Sequence, residues 1–103
     1  MELKVTPWED EEPLTEEVVR DHLQSQELRV YHWSSAADDT FAGHTHGYHK
    51  ILYVLEGEIK FEFPTRHKTL NLTSGDRLDL PAGIRHSATV GPDGVKCLES
   101  HMY

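Results

Sequence analysis

The spacing of apolar residues changes period at Leu28. Between Thr15 and about Gln26, Val18, Val19 and Leu23 fall on one stripe of a 3.6-residue helix. Thr15 is placed to cap that helix, Leu14 and Val19 to staple its start, and Glu16 and Glu17 to face the positive end of its dipole. From Leu28 onward the pattern is short β-rich runs with a period of two, which predicts strands near 28–34, 40–46, 50–55, 58–63, 68–72, 76–80, 84–90 and 95–102. In Glu58–Phe63 the apolar side chains take the odd positions and the charged ones the even, as in a strand with one buried face. Turn residues separate the runs at Asp38-Asp39, Glu56-Gly57, Pro64-Thr65, Ser74-Gly75-Asp76, Pro81-Ala82-Gly83 and Gly91-Pro92-Asp93-Gly94. The expected fold is all-β: a small antiparallel barrel with a short N-terminal helix laid against its outside. Leu52, Val54, Ile59, Phe61, Phe63, Leu72, Leu78 and Leu80 are its expected core or interface, while Tyr31, Trp33, Phe41, Tyr48 and Tyr53 are left between core, cavity lining and contact roles.

A chain of 103 residues closes around one core. Residues 1–27 form an acidic extension with the helix, holding nine acids and two bases, and residues 28–103 form the barrel domain. The acidic head reads as a solvated face. A formal charge of −8 opposes the attraction that drives nucleic-acid binding, so no DNA or RNA partner is expected. The longest apolar run, Ile51–Leu55, is far short of the roughly 20 residues that cross a bilayer, and the N-terminus lacks the basic-then-apolar layout of a signal peptide. The expectation is a cytoplasmic protein with no membrane partner. Cys97, the single cysteine, permits neither an internal disulfide nor a cysteine-rich zinc cluster and reads as an inert core thiol.

Eight histidines then stand out. His44 and His46 are separated by one residue, so on a strand both imidazoles point to the same side. His86 opens a later strand after the tight turn Pro81-Ala82-Gly83, and a neighbouring strand can bring it to the first two. Three neutral imidazoles that leave coordination positions open suit a divalent ion: zinc, iron, manganese, nickel or copper. His22 and His67 read as solvated, and His32 as facing either cavity or surface.

Gly43-His44-Thr45-His46 with Ile51 to Gly57, followed by Gly75-Asp76 and Pro81-Ala82-Gly83-Ile84-Arg85-His86, resembles the two motifs of the cupin superfamily in its small single-domain form. The resemblance covers roughly residues 28–102. It implies a jelly-roll β-barrel of six to eight strands, often a homodimer, with a metal deep in the barrel mouth held by His44, His46 and His86. Two positions depart from the motifs: Lys50 stands where the family usually has a ligating glutamate, and Val90 where it usually has asparagine. An ammonium does not ligate a metal and is repelled by a dication.

Three arrangements stay open at Lys50. The metal keeps three histidines while Lys50 turns to solvent or to a bound anion; His49 moves in as an extra ligand, if the Gly47-Tyr48 turn resets its strand parity; or Lys50 fills the site and leaves a small-molecule pocket without metal. In the last strand, Val95, Cys97, Glu99 and His101 share one parity and Lys96, Leu98, Ser100 and Met102 the other, and either set can face the barrel. If the first set faces inward, Glu99 pairs with Lys50. The expected function is a small metal-binding cupin acting on a small-molecule substrate, of dioxygenase, isomerase or decarboxylase type, with Lys50, Tyr48 and Glu99 as proton-transfer candidates. The alternative is a non-catalytic binding or sensor module for a small anion or sugar-like ligand, with Lys50 or Arg85 as counter-charge.

Overall fold

The computed structural model describes residues 1–103. In chain order its elements are β1 (Lys4–Thr6), α1 (Glu16–Gln24), β2 (Tyr31–Ser35), β3 (Thr40–His44), β4 (His49–Phe63), β5 (Lys68–Thr73), β6 (Arg77–Leu80) and β7 (His86–Met102). All paired strands are antiparallel. This is an antiparallel jelly-roll β-barrel with one short helix, the architecture expected from the sequence.

Two long strands organise the barrel. β4 and β7 pair along most of their lengths, from Lys50 opposite His101 to Glu62 opposite Ser87. The first half of β4 also pairs with β6, and β6 with β1; the second half pairs with β5. β7 carries β3 beside its first residues and β2 beside Val95–Glu99. Each long strand therefore belongs to two sheets that face one another across the core. The strands predicted at 50–55 and 58–63 are one strand, as are those at 84–90 and 95–102. Glu56-Gly57 and Gly91–Gly94 are bends, marked by register shifts, and not chain reversals. At the bend Gly57 has φ +81°, and a Cβ there would stand 1.9 Å from the Gly94 carbonyl oxygen. Only glycine fits.

The main core holds all eight predicted residues, joined by Ile84, Ala88, Val90, Val95 and Cys97. A second cluster forms on the outer face of β4 and β7, where Ile51, Tyr53 and Leu98 meet Val19 and Leu23 of α1. The helix is capped as expected: the Thr15 hydroxyl accepts the Val18 N–H at 3.1 Å. It stops at Gln24, and Glu27 just beyond it is in the left-handed region with φ 61°. Because α1 covers the outside, Ile51 to Val54 are all buried, even and odd positions alike. The same cover settles the last strand. Cys97 and Glu99 point into the barrel and Leu98 to the helix, with both faces buried. His22 is half-buried, stacked on Trp8 at 5.4 Å and 3.1 Å from Asp10, while His32 is exposed and 3.3 Å from Glu16. No helix is long and apolar enough to cross a membrane.

Candidate metal centre

Strand register brings the histidines together. His44 ends β3 and is the direct cross-strand partner of His86 at the start of β7, so both rings point to one face. His46 lies two residues past the end of β3, in a segment tied to the β6–β7 connection by the Gly83 N–H donating to the His46 carbonyl at 2.9 Å. The ligand atoms of His44, His46 and His86 all lie within 4.8 Å of one another.

The hydrogen bonds of the rings decide which nitrogens are free. His44 Nδ1 lies 2.7 Å from the Ala42 carbonyl and His86 Nδ1 2.9 Å from the Ile84 carbonyl. A carbonyl only accepts, so Nδ1 donates in both rings, and Nε2 is the nitrogen left to face a metal. Backbone carbonyls commonly orient metal-binding imidazoles in this way. His44 Nε2 and His46 Nε2 are 3.1 Å apart, close to the separation required of two imidazoles sharing one ion with bonds of about 2.0–2.1 Å. Burial, reinforced by the Lys50 charge, lowers the pKa of His46 to about 4, and burial also lowers that of His86. Both are neutral at pH 7, the state in which a ring nitrogen ligates. The donor set fits a divalent ion.

The remaining predicted residues divide. His49 lies apart from the trio: β4 begins at this residue, its parity is opposite to that of Lys50, and its Nδ1 accepts the Ala82 N–H at 2.9 Å. It docks the β6–β7 connection. Lys50 and Glu99 face each other with Nζ 3.6 Å from Oε2, and His101 Nε2 donates to the same oxygen at 2.6 Å. Tyr48 stacks between His46, at 5.0 Å, and His101, at 4.1 Å, and Tyr31 covers the other face of His101 at 4.8 Å. Burial, with the Glu99 charge, raises the Tyr48 pKa and keeps its phenol protonated. The Tyr31–His101 contact was not foreseen, although Tyr31 and Glu99 pair across β2 and β7 and the tyrosine therefore neighbours the residues around Glu99. Arg85 lies on the outer side, its guanidinium packed against Gly43.

A cavity of about 420 Å³ adjoins the trio, lined by His44, His86, Lys50 and Glu99 together with Trp33, Phe41, Leu52 and Phe61. A separate depression of about 350 Å³ near Ala36 and Asp93 holds none of these residues.

A jelly-roll barrel with an imidazole cluster at one end of its cavity defines a cupin. Within that superfamily, residues 27–102 match the AraC-like ligand binding domain, and the chain belongs to that family. No curated protein matches it. Among solved structures, a DUF861 family protein from Thermotoga maritima is similar over 98% of this chain and 100% of its own, with TM-score 0.64 and 16% identity. The DMSP lyase DddQ from Ruegeria pomeroyi is similar over 74% of this chain and 38% of its own, with TM-score 0.66 and 24% identity. The polyketide cyclase RemF from Streptomyces resistomycificus is similar over 73% of this chain and 54% of its own, with TM-score 0.65 and 21% identity. At these identities the likeness shows the fold alone.

Proposed function

We propose that this chain is a metal-binding cupin in which His44, His46 and His86 hold one divalent ion beside a small-molecule cavity. The observation that supports this most directly is the pair of Nδ1–carbonyl hydrogen bonds, which turn the Nε2 lone pairs of His44 and His86 away from the backbone. When bound, the ion supplies a Lewis acid that polarises an oxygen of the ligand. Lys50 brings positive charge to the cavity wall, and Glu99 fixes Lys50 and His101 in place. Tyr48, protonated and stacked on His46, is a proton donor and not a base. Two structural neighbours are by name a lyase and a cyclase, and a reaction on a small molecule is the enzymatic form of this reading.

The family match favours a second form, in which the same site binds its ligand without converting it. Elemental analysis of the purified protein tests the shared premise. Near-stoichiometric divalent metal that disappears in His86→Ala supports the centre; protein that takes up no zinc, iron, manganese, nickel or copper on reconstitution removes it. Consumption of a bound compound by the loaded protein then separates the enzyme from the binding module.

A further inference from the structure

The ammonium of Lys50 lines the cavity and is ion-paired with Glu99. Its side chain is 14% exposed, and its nearest carboxylate oxygen, Glu99 Oε2, is 3.6 Å away. That distance is beyond the usual hydrogen-bond range of about 2.7–3.2 Å. The same oxygen is already engaged by His101 at 2.6 Å. An ammonium has three donors, so Lys50 can donate to a ligand atom as well as face Glu99. Glu99 is shared between Lys50 and His101, which leaves part of the ammonium's charge to a ligand in the cavity.

We infer that the cavity takes a small monocarboxylate with an apolar body, its carboxylate set between Lys50 and the histidine end and its body against Trp33, Phe41, Leu52 and Phe61. The inference rests on the metal-centre reading for one part of the anion's surroundings, but Lys50 is an independent anchor. A monoanion fits better than a phosphate, because a single ammonium faces the site and the adjacent Glu99 carboxylate repels a dianion. The apolar wall selects for a hydrocarbon body, and a cavity of about 420 Å³ lies in the size range of small-molecule sites. Lys50 is then the residue that sets ligand class.

The test is isothermal titration calorimetry of zinc-loaded and zinc-free protein with acetate, benzoate, phenylacetate and 4-methylpentanoate, and with the amide of each acid. At least one of the three larger acids is expected to bind at least tenfold more tightly than its amide and than acetate. Lys50→Met, and separately Lys50→Gln, is expected to lose at least tenfold in acid affinity while amide affinity and circular dichroism stay unchanged. The inference is overturned if no acid binds, if acid and amide bind alike, if acetate binds as tightly as the larger acids, or if a folded Lys50 variant binds the acid as the parent does. Zinc content measured in parallel keeps the two readings apart. Acid binding that depends on Lys50 in protein unable to hold zinc sustains the carboxylate site and removes the metal centre, whereas zinc binding without acid binding does the reverse.

Discussion

His44 and His86 are direct cross-strand partners of β3 and β7, with ring centroids 4.5 Å apart. Their meeting is a property of backbone register, since a slip by one residue would turn one ring to the opposite face. The irregularity between Phe41 and His44 in the β3–β7 ladder is the point at which that register is set. The His44–His86 geometry follows from the ladder, while His46 is held outside it by the hydrogen bond from Gly83.

The two histidines flanking the first motif should therefore respond differently to truncation. His44→Ala is expected to abolish metal loading. His49→Ala is expected to retain it while lowering stability by about 1 kcal/mol, because the Ala82 N–H loses its acceptor. Elemental analysis together with urea denaturation reads both effects, and loss of metal in His49→Ala with full loading of His44→Ala would reverse the assignment.

At the bend of the long strands, Gly57→Ala should destabilise by about 2–4 kcal/mol. The added Cβ would combine a left-handed backbone with a steric conflict at Gly94. Gly47→Ala is the control, since a Cβ there meets no atom within 4 Å. Denaturation midpoints that place the two variants together would show that the bend relaxes.

The contrast between these positions shows what could be read in the sequence. Period alone located α1 and the main core, because burial on one side leaves a two- or 3.6-residue signature; the strand expected at 40–46 ends at His44, and His46 joins the cluster from beyond it. The runs divided at Glu56-Gly57 and at Gly91–Gly94 are single strands in the structure, since glycine, proline and aspartate serve equally where a strand kinks and where it ends. β1 was missed because Lys4-Val5-Thr6 offers a single apolar residue, too few to show a period. The orientation of the last strand had no signature either: with α1 on one side and the cavity on the other, Leu98 and Glu99 are both buried. The conditional pairing of Lys50 with Glu99 was legible once that orientation was supplied, whereas the place of His49 depended on the residue at which β4 begins.

The outer cluster should matter to stability in its own right. Leu23 is fully buried between α1 and the sheet, and Leu23→Ala is expected to cost about 2–4 kcal/mol. Metal loading of the folded fraction should be unchanged, because Leu23 packs on the outer face of β4. Chemical denaturation and elemental analysis on one preparation check both statements.

Cys97 supplies a pH dependence whose sign can be worked out. Burial raises its thiol pKa from 9.0 to about 12. Between those values the unfolded thiol has lost its proton while the folded one keeps it. The unfolded state then binds fewer protons, so this contribution is fully present below pH 9 and declines as pH rises, by at most about 1.4 kcal/mol per unit. Cys97→Ala should flatten that part of the stability profile in alkaline buffer. A thiol reagent at pH 8 should leave native Cys97 unmodified and label it fully in denaturant; rapid labelling of the native protein would contradict its place in the core.

The sharing of β4 and β7 by both sheets bears on how the molecule comes apart. Neither sheet can open alone, because each long strand would have to leave the other sheet as well. His44 and His86 stand together only while β3 and β7 are paired, and these strands are distant in sequence, a pairing that forms late in folding. Whatever occupies the site grips the finished barrel and not its precursors. Its mark should be a longer native lifetime, seen as slower unfolding with the refolding rate little changed.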